Sequence, residues 1–478
     1  MNIGTLIRNL LNPVTMNRRI FRVAGLVGFL TTGVKLIAMF KELTVARYFG
    51  RNDAVDAFLV AYLIPGFLVA LVAGALNAAL IPTFIQIREH EGKIAAQRLF
   101  SSCMVWSQGL LCGLAVVVAA GAPYLLRAIA PGFSAAKLQL CMHLFYAMLP
   151  LILLSGVVTN YSAILNATKC FWLPAVSPTL TPLLTLILIA TQFRAWGAWS
   201  LAFGALLGSL CECVVLGLAL THRGIHVWPR WHGVTSGVRQ VGLQYIPLLV
   251  AAVFTSGVTV VDQSMAAWLQ PGSVAALGYG SRIVSVLVGL TTVSLTAAVI
   301  PYFSEMVAAK DWEGCQHTLQ TYTRSLLLIM TPICVLLIAL SPAIVRLLFQ
   351  RGAFTSQDTI IVSRVQAMYA LQIPFYAAGL LYVRMLTALR RNDLVMISAG
   401  ISLVLDVVLN LICMRFWGVA GIALSTSLFY VASLSFAFFM ARRLLQQNAA
   451  QQNASEEVDG GQTLAFAQAV SRLERSTS

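Results

Sequence analysis

The sequence predicts an all-α polytopic membrane protein of about twelve transmembrane helices, arranged as two six-helix lobes in parallel repeat. Three observations carry this prediction. Of 478 residues, 59% are hydrophobic and only 10% are charged, with a mean hydropathy of +0.82, whereas ordinary soluble domains carry about 25% charged residues. Apolar runs recur along almost the whole chain, each reaching the ~20 residues that cross a ~30 Å hydrocarbon core. The chain also repeats itself at an offset near 220 residues. The composition excludes a soluble enzyme, a secreted disulfide scaffold and a nucleic-acid-binding domain.

Hydropathy places the spans at 20–41, 54–84, 98–121, 141–166, 171–192, 196–221, 240–268, 274–303, 318–349, 359–389, 394–415 and 417–441. Each must be helical, because the bilayer offers no water to unpaired backbone groups. The net charge of +15 resides mostly in the short connections, which reads as topology determination. With the N-terminus inside, basic residues such as Arg18, Arg19, Arg22, Arg88, Lys93, Arg98, Arg223, Arg230 and Arg239 outnumber outer ones by about two to one. Both termini are therefore expected in the cytoplasm. The chain divides into a cytoplasmic or interfacial N-terminus (1–19) and an N-lobe (20–221). A basic linker (222–239), a C-lobe (240–445) and a polar, disordered tail (446–478) follow. Residues 3–11 read as a short interfacial helix. The nine cysteines are scattered singly without metal or disulfide spacing, as packing residues are.

The repeat rests on three matches in one order. NAALIPTF at 77–84 pairs with TAAVIPYF at 296–303, an offset of 219. Ile164-Leu165-Asn166-Ala167 pairs with Met385-Leu386-Thr387-Ala388, and Trp196-Gly197 with Trp417-Gly418, both at 221. Six helices per unit is an even number, so both halves keep one orientation about an axis along the membrane normal. That is a transporter plan with the substrate site between halves.

Charges at membrane depth cost roughly 2.5–3.5 kcal/mol each and mark pathways or paired sites. Lys35 lies within the first span, Lys41 and Glu42 close it, and Arg282 lies within the eighth. Arg324 and Arg384 sit near span ends, where snorkelling explains them. Lys35, Lys41 and Arg282 come from the opening helix pairs of opposite halves and are expected to face one cavity. Several cations there suit an anionic phosphate or diphosphate ligand, met by Lys as a point charge and by Arg as a fork. The buried acids are Glu212, Asp262 and Asp406. Asp406 and Asn410 stand one turn apart on one face of the eleventh span, with Thr426 on the next helix, four residues after Ile422. These hard oxygen donors fit either a small cation such as Na⁺ or an interhelical hydrogen-bond cluster. Prolines within or beside many spans would bend helices around a cavity, and no P-loop points to ATP-driven transport.

Several stretches resemble one family. VARYFGRNDAVDAFLVAYLIP (45–65), APGF (130–133), AILNATKCFWLPAVSPTL (163–180), VDQSMAAWLQPGSVAALGYGSRIV (261–284) and LFQRGAFTSQD (348–358) are similar to the MurJ/MviN lipid II flippases of the multidrug/oligosaccharidyl-lipid/polysaccharide exporter (MOP) superfamily. The resemblance implies two lobes around a central cationic cavity and alternating access. Its cargo would be an undecaprenyl-diphosphate-linked glycan moved from the inner to the outer leaflet of the bacterial inner membrane. It implies substrate contacts at Lys35, Lys41, Asp56 and Arg282, and a sodium site of Asp262, Asp406, Asn410, Ile422 and Thr426. Membrane lipids and cell-envelope glycan biosynthesis enzymes are the implied partners of a monomeric carrier that takes no nucleic acid and no cofactor beyond bound Na⁺.

The chain departs from that pattern in places. Family members carry basic residues in helix two where this sequence has Leu63, Val69 and Ala70, and Ser281 replaces the acid before Arg282. Two C-terminal helices of many members are missing. Lipid II and an exopolysaccharide repeat unit therefore both remain as cargo, with the helix-two difference leaning toward the latter. A drug/cation antiporter of the same superfamily is the rival reading, and would favour acidic and aromatic cavity residues. A membrane-embedded glycan polymerase would need a large outer loop, and 122–140 is too short.

Overall fold

The computed structural model describes the backbone of residues 16–389 and 391–476, and the side chains of 28–292, 303, 306–307, 309–389, 391 and 393–452. The interfacial helix expected at 3–11 lies outside the described residues. Twelve long helices follow one another: α1 (Met16–Phe49), α2 (Asp53–His90), α3 (Lys93–Ile129), α4 (Ala135–Ala167), α5 (Trp172–Trp196) and α6 (Trp199–His222). After a 13-residue connection come α7 (Ser236–Ala267), α8 (Ser273–Ala308), α9 (Trp312–Phe349), α10 in two segments (Ser356–Ala370 and Gln372–Ala388), α11 (Asn392–Trp417) and α12 (Val419–Ser476). Ten of these helices are long and apolar enough to cross a membrane. The other two, α1 and the broken α10, match the predicted spans 20–41 and 359–389.

Helix ends follow the polar punctuation of the sequence. Asn52 accepts from the amides of Ala54 and Val55 to cap α2, and Ser134 caps α4. Thr355 and Asp358 form a reciprocal capping box on α10. Within α2 the ladder slips into a π-helical stretch at Ala70–Gly74, beyond Pro65, whose ring removes a backbone donor.

The duplication is visible in the packing. In the first half α2 packs on α4, α4 on α6, α3 on α4 and α5 on α6; in the second half α8 packs on α10, α10 on α12, α9 on α10 and α11 on α12. The pair α1 and α5 is likewise repeated as α7 and α11. Close contacts among these are made by small residues. Gly204 and Gly208, one turn apart on α6, lie against Thr185 and Thr181 of α5, so close that a Cβ at either glycine would meet threonine backbone. In hydrocarbon, where no hydrophobic force draws helices together, such close backbone approach supplies the packing.

The linker gains contacts beyond its sequence-based reading, and the tail departs from its own. The linker after α6 docks on α3: the Gln97 side chain donates to His226 O (2.8 Å), and the amides of Arg230 and His232 donate to Ser101 Oγ (2.7 Å) and Ser102 Oγ (3.2 Å). It leads into the first half of α7, where Val241 and Tyr245 share a core with Ile87 and Leu99 of the first half. The tail beyond 446, expected to be disordered, instead continues α12 to Ser476. Its Gln, Ala, Glu and Arg residues are good helix formers, and extending an existing helix avoids the nucleation cost that defeats an isolated one.

Replacing Gly208 with Leu should force α5 and α6 apart. Overpacking of this kind costs roughly 1–3 kcal/mol, so the purified variant should unfold at a lower temperature than the wild type. An unchanged thermal midpoint would count against the close-contact account.

Candidate functional site

A cavity of about 500 Å³ lies among α1, α2, α4, α5, α6 and α8. Helical periodicity presents its lining: Val34, Ala38, Lys41 and Val45 form one stripe of α1, and Ala275, Gly278, Tyr279 and Arg282 form one stripe of α8. Arg282 NH2 donates to Glu42 Oε1 (2.7 Å), and Lys41 Nζ lies 2.9 Å from the same oxygen. Glu42 thus gathers a cation from each lobe onto a single carboxylate oxygen. Among the described residues the buried Nε of Arg282 has no hydrogen-bond partner. Lys35 sits two turns along, its Nζ occupying the space that a side chain at Gly289 of α8 would need. Lys41 and Arg282 therefore line one cavity with Glu42, while Lys35 stands at the same α1–α8 seam outside that lining.

The cavity is bipolar rather than uniformly cationic. Glu212 of α6 also lines it, buried, and accepts from Ser177 Oγ at 2.8 Å. Two acids, Glu42 and Glu212, accompany the two cations in the lining.

Asp56 does not line this cavity. It is 1% exposed and lies at the junction of the lobes. Its Oδ2 accepts from the Gly272 amide (2.6 Å) and its Oδ1 from the Ala275 amide (2.8 Å), capping α8 of the opposite lobe. Lys137 Nζ contacts Asp56 Oδ2 and Asp53 Oδ1, both at 2.7 Å. The position expected to touch substrate is a latch, because its carboxylate satisfies the orphan amides of a helix N-terminus. Neighbouring contacts cross the same junction: Ala353 N to Arg47 O (2.8 Å), Arg51 Nε to Asp358 Oδ1 (3.0 Å) and Tyr279 OH to Gly50 O (3.1 Å). Gly50 and Gly352 adopt positive φ there, and a Cβ on either would strike the facing backbone.

The oxygen cluster assembles from α7, α11 and α12. Asn410 Nδ2 donates to Asp262 Oδ1 (2.8 Å) and to Asp406 Oδ2 (3.1 Å), and Thr426 Oγ1 reaches Asp262 Oδ2 (3.3 Å). Ile422 takes part through its carbonyl, which accepts from Ser425 Oγ (2.7 Å) and Thr426 Oγ1 (3.1 Å). Asp406 and Asn410 are fully buried, and among the described residues Asp406 Oδ1 has no hydrogen-bond partner. Two buried carboxylates bridged by one amide cannot both stay charged and uncompensated: either a shared proton or a bound cation relieves them. The donors present are carboxylate, amide, hydroxyl and carbonyl oxygens, a set that fits a small hard cation.

Sequence reasoning missed Glu42 as the bridge, Lys137 as the partner of Asp56, and Ser425, which donates to Asn410 Oδ1. Glu42 was the most legible of these, being an acid beside Lys41 at membrane depth. Lys137 carried no sequence signal, since its partners are about 80 residues away. The helix-two difference also reads otherwise in three dimensions. Leu63 is buried in packing, and neither it nor Val69 lines the cavity.

Two lobes of six helices with a bipolar cavity between them make up the MOP exporter fold. Residues 45–459 match the family described as "Lipid II flippase MurJ", and the chain belongs to that family. Relatives include a "Probable lipid II flippase MurJ" of Synechocystis sp., 23% identical over 90% of this chain and 83% of that protein. Another, from Rhizobium tropici, is 28% identical over 73% of this chain and 67% of its own. Among solved structures, a lipid II flippase MurJ in an inward closed conformation superposes with a TM-score of 0.76 at 23% identity, covering 87% of each chain. An inward-facing multidrug resistance MATE transporter of the MOP superfamily reaches 0.71 at 12% identity, over 89% of this chain and 95% of its own. These two likenesses show the fold. The family match does not favour the drug antiporter.

Replacing Asp56 with Ala would strand Lys137 and two α8 amides in a buried junction. Removing one member of a buried pair costs about 3–5 kcal/mol. Lys137→Met should cost less, because Asp56 retains both amide donors. Thermal unfolding of the two purified variants checks the order, and the reverse order would refute Asp56 as the organising group.

Proposed function

We propose that this protein carries lipid II, an undecaprenyl-diphosphate-linked glycan, from the inner to the outer leaflet of the bacterial inner membrane. The observation that carries the reading is the meeting of Lys41 and Arg282 on Glu42. A diphosphate bound there would engage one cation from each lobe through charge-assisted hydrogen bonds. A ligand held by both lobes shifts their equilibrium only by its differential affinity for the two arrangements. Lys41 and Arg282 occupy a seam where that affinity would differ. The positive-inside pattern supports a multi-pass topology with both termini in the cytoplasm. Membrane lipids surround the carrier, a monomer served by cell-envelope glycan enzymes.

Lipid II is the favoured cargo. The lean toward an exopolysaccharide unit rested on Leu63 and Val69, and the cavity does not include them. The relatives named above are described as lipid II flippases. Na⁺ is the proposed coupling ion, held by Asp262, Asp406, Asn410 and Thr426 with the Ile422 carbonyl. When bound, it would supply positive charge to the paired carboxylates.

Arg282→Ala should abolish transport while leaving membrane insertion intact, and Arg282→Lys should restore part of it if charge outweighs fork geometry. The assay is growth of a bacterium depleted of its own lipid II flippase. Rescue by the wild type supports the cargo assignment, and failure of a well-inserted wild type would refute it.

Asp406→Asn keeps the shape and removes one charge. Transport by this variant should lose most of its dependence on sodium, while its thermal midpoint stays near that of the wild type. Identical sodium titrations for both proteins would return the cluster to ordinary interhelical packing.

A further inference from the structure

The lipid II reading leaves one buried acid unused. Glu212 sits in the wall of the substrate cavity, 7% exposed, with its Oε1 accepting from Ser177 Oγ at 2.8 Å. Among the described residues no Lys, Arg or His stands within salt-bridge distance of it, in contrast to Glu42, which holds two cations. A carboxylate at membrane depth without a counter-charge is costly, so a purely structural role is a poor account of it. An apolar residue would pack against α5 without that cost.

The backbone takes trouble to place this acid. Gly204 and Gly208 bring α6 against α5, and Glu212 follows one turn later on the same face, opposite the 3-10 turn that begins at Ser177. Around it the cavity wall carries the hydroxyls of Ser155, Thr159, Thr181 and Ser209, with Ser155 and Ser209 3.5 Å apart. This end of the cavity is thus rich in acceptors, while the α1–α8 seam presents cationic donors. The two ends demand different chemistry from one ligand: an anion at the seam, and hydrogen-bond donors without negative charge at Glu212.

We infer that Glu212 is a specificity-determining residue that accepts hydrogen bonds from the sugar next to the diphosphate, through its hydroxyl or amide N–H groups. The inference rests on the diphosphate reading of the seam and extends it to the glycan. Ser177 is a positioning residue, holding one carboxylate oxygen of this cavity-lining acid by its hydrogen bond. A site built to pair a buried polar group rejects ligands that leave it unpaired. The acid therefore discriminates between a glycan-bearing lipid and a bare lipid diphosphate.

The test measures binding of two probes, undecaprenyl diphosphate and undecaprenyl-diphosphate-linked N-acetylhexosamine, to the purified full chain in nanodiscs. Glu212→Gln is nearly isosteric and should weaken the glycan-bearing probe about tenfold or more, a charge-assisted bond being at stake, while leaving the bare diphosphate unchanged. Ser177→Ala should produce a smaller loss of the same selective kind. Arg282→Ala should weaken both probes. Equal weakening of both probes by Glu212→Gln, or no effect on either, would overturn the role given to Glu212. Failure of the wild type to bind either probe would instead overturn the diphosphate reading beneath it.

Discussion

The junction of the two lobes depends on one carboxylate. Asp56 accepts two amides from the first turn of α8 and pairs with Lys137, all in a place almost closed to solvent. A buried charge is tolerable only when its lone pairs are satisfied and its charge is opposed, and here the three donors come from two lobes. Neither lobe can satisfy Asp56 alone. The contact therefore holds the lobes together at this end of the bundle, and opening that end must replace these donors with others, such as water. Arg51, Tyr279 and the interlocked turns at Gly50 and Gly352 add contacts that break together with it. A junction of this kind has two discrete states rather than a graded hinge.

α8 carries this constraint into the binding region. Its first turn is capped by Asp56, and the next turns supply Tyr279 and Arg282 to the main cavity. Its opposite face, with Leu277, Ser281, Val284 and Ser285, borders a second cavity of about 250 Å³ that reaches Asp262 and Thr426. One helix therefore stands as the wall between the anion seam and the oxygen cluster. A displacement of α8 alters the cap, the Arg282–Glu42 pair and the space beside Asp262 in a single movement. Coupling between sites needs such a shared two-state element rather than direct contact.

Much of this was legible in the sequence because it follows from periodicity and cost. Span number and helical character come from the bilayer's demand that backbone groups be paired internally, and the repeat in the residue pattern returns as a repeat in helix pairing. Spacing put Asp406 and Asn410 on one face with Thr426 on the next helix, the resemblance added Asp262, and the four side chains do meet. What stayed hidden depended on contacts between residues distant in the chain. Asp56 was expected to touch substrate only because the resemblance implied it, and its amide partners lie 216 and 219 residues later. Leu63 looked like a missing cation because sequence position alone does not say which side of α2 meets the cavity. The tail misled in the other direction: its polarity rules out a core, but not the continuation of a helix already nucleated by α12.

The same reasoning separates this cavity from a generic apolar pore. Lys41 and Arg282 belong to different lobes and converge on Glu42, so the protein's own acid holds the place that a ligand's anion can share. Without that acid, two facing cations in a low-dielectric seam would repel each other, which opposes closure. With it, one of the two positive charges is cancelled when the seam closes, and the net positive charge that remains can answer an arriving anion. The cost of burying the cations is met by Glu42 in one state and by the cargo in another. Glu42 is thus the residue that lets Lys41 and Arg282 face each other across the closed α1–α8 seam.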